Sequence, residues 1–198
     1  MLTRDGAGSI WVGPENLIRV VLGGLFLRPS LYRQVAETSA SWRLCLAALV
    51  LGRAGRGWAD SIVAGGATAV AIALEVLLGF LLVLLEAGLL FSCARAFLPK
   101  ARSSFSRLIR PVALAHVAEV VAFLLAALLV GGEVSVTVLQ GLLELSWIWQ
   151  IAALVVAVQA ALGVPWPGAI ALTCFVGLLQ RSLPLLIELG FGTWPFGA

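Results

Sequence analysis

The stretch LSWIWQIAALVVAVQAALGVPWPGAIALTCFVGLLQ, residues 145–180, runs 36 positions without a charged side chain. As one straight helix it would extend about 54 Å, well beyond a hydrocarbon core of about 30 Å. The chain must therefore fold back. GVPWPG at 163–168 is where it can, because two prolines and two glycines surround Trp166, an aromatic suited to a membrane interface. Residues 136–162 and 168–190 are thus expected to be the two arms of a helical hairpin that crosses a bilayer twice.

The rest of the chain has the same character. Of 198 residues, 61% are hydrophobic and 12% charged, whereas a soluble domain has about 45–50% and about 25%. Such a chain cannot supply a polar surface for water, so the lipid bilayer is its first partner. Thirteen basic residues against ten acidic ones is too even a balance for a nucleic-acid binder. Cys45, Cys93 and Cys174 lie in or beside apolar runs, never at CxxC spacing, and read as small buried hydrophobes. Asp5, Glu15 and Arg19 break the pattern of a cleaved signal peptide.

Further spans follow from the charges. Only Glu75 and Glu86 interrupt the 34 residues between Asp60 and Arg95, which predicts one long helix over 61–94. RAFLPKARSSFSRLIR (95–110) has five basic residues and no acidic one, so it is read as a cytoplasmic loop leading into a helix over 107–131, with Pro111 in its first turn. Trp42 to Gly52 offers only eleven mostly apolar residues, bounded by Arg43, Arg53 and Arg56. If this segment crosses, over about 38–54, only Arg53 and Arg56 face outward, which favours a short first span. PENLIRVVLGGLFLRP (14–29) is expected to lie on the cytoplasmic face as an amphipathic helix, started by Pro14 and stopped by Pro29. The expected architecture is all-α: a cytoplasmic segment over 1–37 and a polytopic bundle of about five transmembrane helices over 38–198, N-terminus cytoplasmic and C-terminus outside. The dominance of arginine over lysine and the abundance of alanine point to a bacterial inner membrane.

Ionisable groups inside a membrane are costly, about 2.5–3.5 kcal/mol each at a helix centre, so each needs a reason. The deep candidates are Glu75, His116, Glu119, Glu144 and Arg181, while Glu86 is placed near the cytoplasmic end. Glu75 and Glu86, eleven residues apart, share a helix face, and His116 and Glu119 are neighbours at i, i+3. Arg181, the only basic residue of the last 88, is expected to pair with a buried glutamate. Gln140, Trp147, Trp149 and Gln150 form a polar and aromatic patch near Glu144, suited to helix packing or to contact with a lipid or partner protein. A single histidine and scattered cysteines cannot build a two-histidine zinc or di-iron site, and the chain has no Walker A loop, HExxH or GxSxG. No catalytic residue, metal or cofactor is therefore expected. Small residues recur at fourfold spacing in Gly65/Ala69/Ala73, Ala118/Ala122/Ala126, Ala153/Ala157/Ala161 and Ala169/Thr173/Gly177, which lets helices approach closely.

FLRPSLY (26–32), the short first span, PKARSSFSRLIRPVALAH (99–116) and SWIWQIAALVVAVQAALGV (146–164) together resemble the YIP (Ypt-interacting protein) family of five-span membrane proteins over about residues 17–190. The resemblance rests on hydropathy pattern and implies the same cytoplasmic N-terminus and outward C-terminus. Eukaryotic relatives are associated with Rab GTPases and carry a DLYGP-like motif, which this chain lacks, so Rab binding is not implied. What the resemblance implies is a non-enzymatic membrane scaffold or accessory subunit that packs against other integral membrane proteins of a larger complex. The alternative is a small proton or ion channel, or a transporter component, built on the buried carboxylates.

Overall fold

A computed structural model describes residues 14–63, 69–98, 104–121, 124, 128 and 135–191. Among them are seven α-helices: α1 Pro14–Leu25, α2 Pro29–Glu37, α3 Trp42–Val63, α4 Ala69–Phe97, α5 Phe105–Ala115, α6 Val136–Leu162 and α7 Trp166–Phe191, with single 3-10 turns at Ser39–Ser41 and His116–Glu119. Two helical stretches, Ala69–Phe97 and Leu145–Leu162, are long and apolar enough to cross a membrane.

The hairpin of α6 and α7 follows from local chemistry. The Ser135 hydroxyl accepts a hydrogen bond from the Val138 amide at the start of α6. Gly163 ends the helix in the left-handed region, φ 67°, a conformation that a residue without Cβ adopts freely. Pro165 precedes α7 and Pro167 sits in its first turn, where a missing N–H leaves no helix bond unmade.

The N-terminal region departs from the expected single helix over 14–29. Helix α1 stops at Leu25, and Leu27 takes a left-handed conformation, φ 50°, while the Arg28 amide donates to Gly23 O at 3.0 Å and the Leu27 amide to Gly24 O at 3.1 Å. This is a Schellman closure with leucine in the usual glycine position. Pro29, expected as a stop, instead opens α2, for which its fixed φ is suited. Leu31, Tyr32, Val35 and Ala36 form the buried face of α2. The Tyr32 hydroxyl donates to Gly24 O at 3.3 Å. Burial, with a smaller contribution from Cys45, raises the pKa of this phenol above its ordinary value, so it remains a neutral donor.

Three other boundaries also move. Helix α3 does not end near residue 54 but continues through Arg53 and Arg56 to Val63. Residues 61–63, expected to begin the next span, complete α3, and α4 starts at Ala69. Helix α5 begins at Phe105, which makes Pro111 an interior residue instead of a first-turn one. Proline there removes one backbone donor, and the helix tightens into the 3-10 turn at His116–Glu119 shortly afterwards.

Helix α6 lies centrally, packed against α2, α5, α7 and the His116–Glu119 turn, while α3 pairs closely with α4. The stripe Ala153, Ala157 and Ala161 is fully used in this packing, as are Ala169 and Thr173 of α7. Ala69 and Ala73, by contrast, face outward on α4. Helix α1 is tied to the centre by Trp149, whose indole N–H donates to Leu25 O at 2.9 Å. Trp149→Phe is expected to cost about 0.5–1 kcal/mol, the net worth of one such bond. Faster proteolysis confined to α1, with the bundle's melting temperature nearly unchanged, is the outcome to look for.

Candidate functional site

Helices α3, α4 and α6 and the 3-10 turn after α5 meet at a buried polar centre. Arg53 of α3 is 7% exposed. Its Nε lies 3.2 Å from Glu119 Oε2, its Nη1 4.0 Å from Glu75 Oε1, and its Nη2 donates to His116 Nδ1 at 3.1 Å. On the other side of the imidazole, Nε2 lies 2.9 Å from Glu86 Oε2. Gln150 Nε2 of α6 is 2.8 Å from Nδ1, and Glu119 Oε1 is 3.5 Å from the same nitrogen. His116 has no solvent exposure and Glu119 has 5%.

Glycines on the facing helices make this convergence feasible. A Cβ on Gly52 would collide with the backbone carbonyl of His116, and one on Gly79 with the Arg53 side chain. At Gly57 it would come within 2.8 Å of Glu75 Cβ and 3.3 Å of Ile72 Cα. Helix α3 therefore approaches both α4 and the turn at separations that only glycine permits, and the Arg53 stem lies across Gly79.

The imidazole's partners depend on its protons. With a proton on Nε2 alone, it donates to Glu86 and accepts from Arg53, which can only donate. With a second proton on Nδ1 it would donate toward Glu119, and the Arg53 contact would set two donors face to face. His116 is thus the group whose proton count redistributes the whole network. Gln150→Leu removes one partner of Nδ1 while Arg53 still satisfies it, so a loss of only about 1 kcal/mol is expected, read as a small fall in melting temperature in mild detergent.

A cavity of about 350 Å³ opens beside this centre, lined by Arg53, Arg56, Asp60, Glu75, Glu86 and Glu119 together with Gln150, Gln180, Trp147 and Leu82. Arg56 pairs with Asp60 at 2.8 Å. A second, apolar cavity of about 490 Å³ lies between α4, α6 and α7 and shares Glu86, Trp147, Gln150 and Gln180 with the first. Among the described residues, no group of three His, Cys, Asp or Glu side chains is arranged to hold a metal ion.

Of the residues singled out in the sequence, Glu75, His116 and Glu119 converge here, and Gln150 joins them from the polar and aromatic patch. Trp147 borders both cavities, whereas Trp149 turns away to α1. Gln140 and Glu144 fall within α6 and Arg181 within α7, but their side chains lie outside the described residues. Two positions need correction. Arg53, expected on the outer surface, is the buried cation of this centre, and Glu86, expected near one end of its span, is 5% exposed against His116. The sequence held a signal for each: Gly52 and Gly57 flank Arg53 on a helix otherwise rich in larger apolar residues, and Glu86 shares a face with Glu75.

Fold and site together define an α-helical bundle with apolar outer faces and an ionic centre. Comparison of the chain with protein-family models, curated proteins and solved structures finds no match.

Proposed function

We propose that this chain is a five-span protein of a bacterial inner membrane, N-terminus cytoplasmic and C-terminus outside, that works without catalysis as a scaffold or accessory subunit of a larger membrane complex. One observation carries the reading. Only 17% of the most apolar stretch of α4 is buried within the protein, against 50% for α6, and Leu74, Leu77, Leu78, Leu81 and Leu85 present their side chains outward. A helix of 29 residues that buries so little inside its own bundle needs an apolar environment outside it. The hydropathy resemblance to the YIP family implies the same topology.

Topology reporters fused after Gly132 and at the C-terminus should both report the outer side; a cytoplasmic signal at either point overturns the orientation. For the docking role, a photo-crosslinking residue placed at Leu78 or Leu81 in native membranes should yield one discrete adduct with a larger membrane protein. Adducts with lipid alone would remove the accessory-subunit reading while leaving the topology standing. The buried carboxylates and His116 favour a second reading, a proton or ion pathway. That reading requires purified protein in liposomes to carry flux and His116→Asn to abolish it.

A further inference from the structure

The apolar cavity between α4, α6 and α7, about 490 Å³ in volume, falls within the range of about 300–1,000 Å³ typical of small-molecule sites. Leu90, Ile151, Leu154 and Val176 give it aliphatic walls. Part of its lining is also outer surface: Leu178 is 69% exposed, Trp147 38%, and Cys174 is exposed as well. The cavity is therefore reached from the flank of the bundle, the side that faces lipid in a membrane.

Two residues of this lining carry a buried polar atom with no hydrogen-bonding partner among the described residues, the Thr173 hydroxyl and Gln180 Nε2, and Thr173 is 5% exposed. Buried groups of this kind are normally satisfied. Both can donate, so what they lack is an acceptor. The other polar side chains of the wall are engaged: Gln150 Nε2 lies 2.8 Å from His116 Nδ1, and Glu86 Oε2 2.9 Å from Nε2 of the same ring. The described lining contains no cationic side chain, and its one carboxyl group, Glu86, is held by the imidazole. An anion would meet Glu86 without a counter-charge, and a cation would find that carboxylate already paired. A neutral ligand with carbonyl acceptors fits both the donors and the aliphatic walls.

We infer that this cavity binds a membrane quinone, a flat neutral ring with two opposed carbonyl groups and an apolar tail, one carbonyl accepting from the Thr173 hydroxyl and the other from Gln180 Nε2. The spacing of the donors selects the ring. Seven residues apart on α7, Thr173 and Gln180 share a face two turns apart, about 10.5 Å along the axis. Opposed carbonyl oxygens on a six-membered ring are about 5 Å apart, and a hydrogen bond of about 2.9 Å at each end extends the span to about 11 Å. The tail leaves past Leu178 into lipid. The inference rests on the bundle lying in a bilayer and not on its docking to a larger complex.

The test uses the full chain purified in maltoside micelles, with radiolabelled decylubiquinone as probe. Saturable binding near one per protein is expected, weakened about fivefold by Thr173→Val and by Gln180→Leu, the worth of one hydrogen bond each. Cys174→Trp, which fills the cavity from an exposed lining position, should weaken binding at least tenfold. Decylbenzene, a ring and tail without carbonyls, and dioctanoylglycerol, with ester carbonyls on a flexible backbone, should compete at least tenfold less well than unlabelled probe. Non-saturable uptake, equal competition by decylbenzene or by dioctanoylglycerol, or unchanged affinity in Thr173→Val overturns the inference. Valine has the shape of threonine and removes a buried hydroxyl that has no partner, so Thr173→Val without quinone should melt no lower than the wild type. The loss of affinity is thereby separated from a loss of fold, and failure of the topology reporters is read independently of either.

Discussion

Replacing Arg53 by leucine is expected to prevent stable accumulation of the folded protein. The side chain is 8% exposed, and it is the guanidinium that faces Glu119 and Glu75 and donates to His116. Without it, Glu119, with a side chain 7% exposed, keeps its carboxyl buried beside Glu86 and Glu75 with only the imidazole between them. Removing one partner of a buried ion pair costs about 3–5 kcal/mol, because the other charge remains desolvated. That is a large part of the total stability of about 5–15 kcal/mol typical of a folded domain. The readout is the monodisperse fraction and melting temperature after extraction in mild detergent. Adding Glu119→Gln to Arg53→Leu should recover part of the loss, since it neutralises the stranded carboxyl. Arg53→Lys should fall in between: it restores a cation but not the fork that reaches Glu119 and His116 together. Wild-type melting in Arg53→Leu would show that the centre contributes nothing to holding α3, α4 and the turn.

Gly52→Ala comes second. The added methyl would meet the backbone carbonyl of His116, and a carbonyl inside a 3-10 turn cannot rotate away as a side chain can. Helix α3 and the turn must separate, which lengthens the Arg53 to His116 and Arg53 to Glu119 contacts. Overpacking by one methyl costs about 1–3 kcal/mol, and here the lost ionic contacts add to it. Gly79→Ala meets the Cγ, Cδ and Nε of Arg53, which must give way and loosen the contact with Glu119, but no backbone has to move, so the loss is expected to stay below that at Gly52. Gly88→Ala, where nothing lies within 4 Å of the added carbon, should leave the melting temperature unchanged or raise it slightly. The order Gly52, Gly79, Gly88 is the check; equal effects at the three positions would mean that close approach at the centre is not what Gly52 provides.

Much of the helical organisation was legible because its causes are local. The uncharged run 145–180 exceeds what one helix can use, and GVPWPG contains its own turn chemistry, so α6 and α7 could be bounded without knowledge of the rest of the chain. The candidate site was legible only in part. His116 and Glu119 lie one turn apart, so their proximity is written into the sequence. A charge next to a short apolar run ordinarily ends a span, which places Arg53 outside. That rule fails when carboxylates from distant segments come within reach. The same holds for Glu86, because the nearest basic residues indicate depth along a helix but not what faces it, here the imidazole of His116.

The sequence by itself determined that the chain is helical, apolar outside and folded back at 163–168, because hydropathy and proline and glycine act on their immediate neighbours. Only the tertiary structure decided which of the thirteen basic residues sits at a buried ionic centre. Whether a charge is tolerated inside depends on the distances to its counter-charges, and those come from α4 and the turn after α5. Arg53 is buried because Glu75, Glu119 and His116 are brought to it past Gly52, Gly57 and Gly79, a convergence that no single stretch of the chain contains.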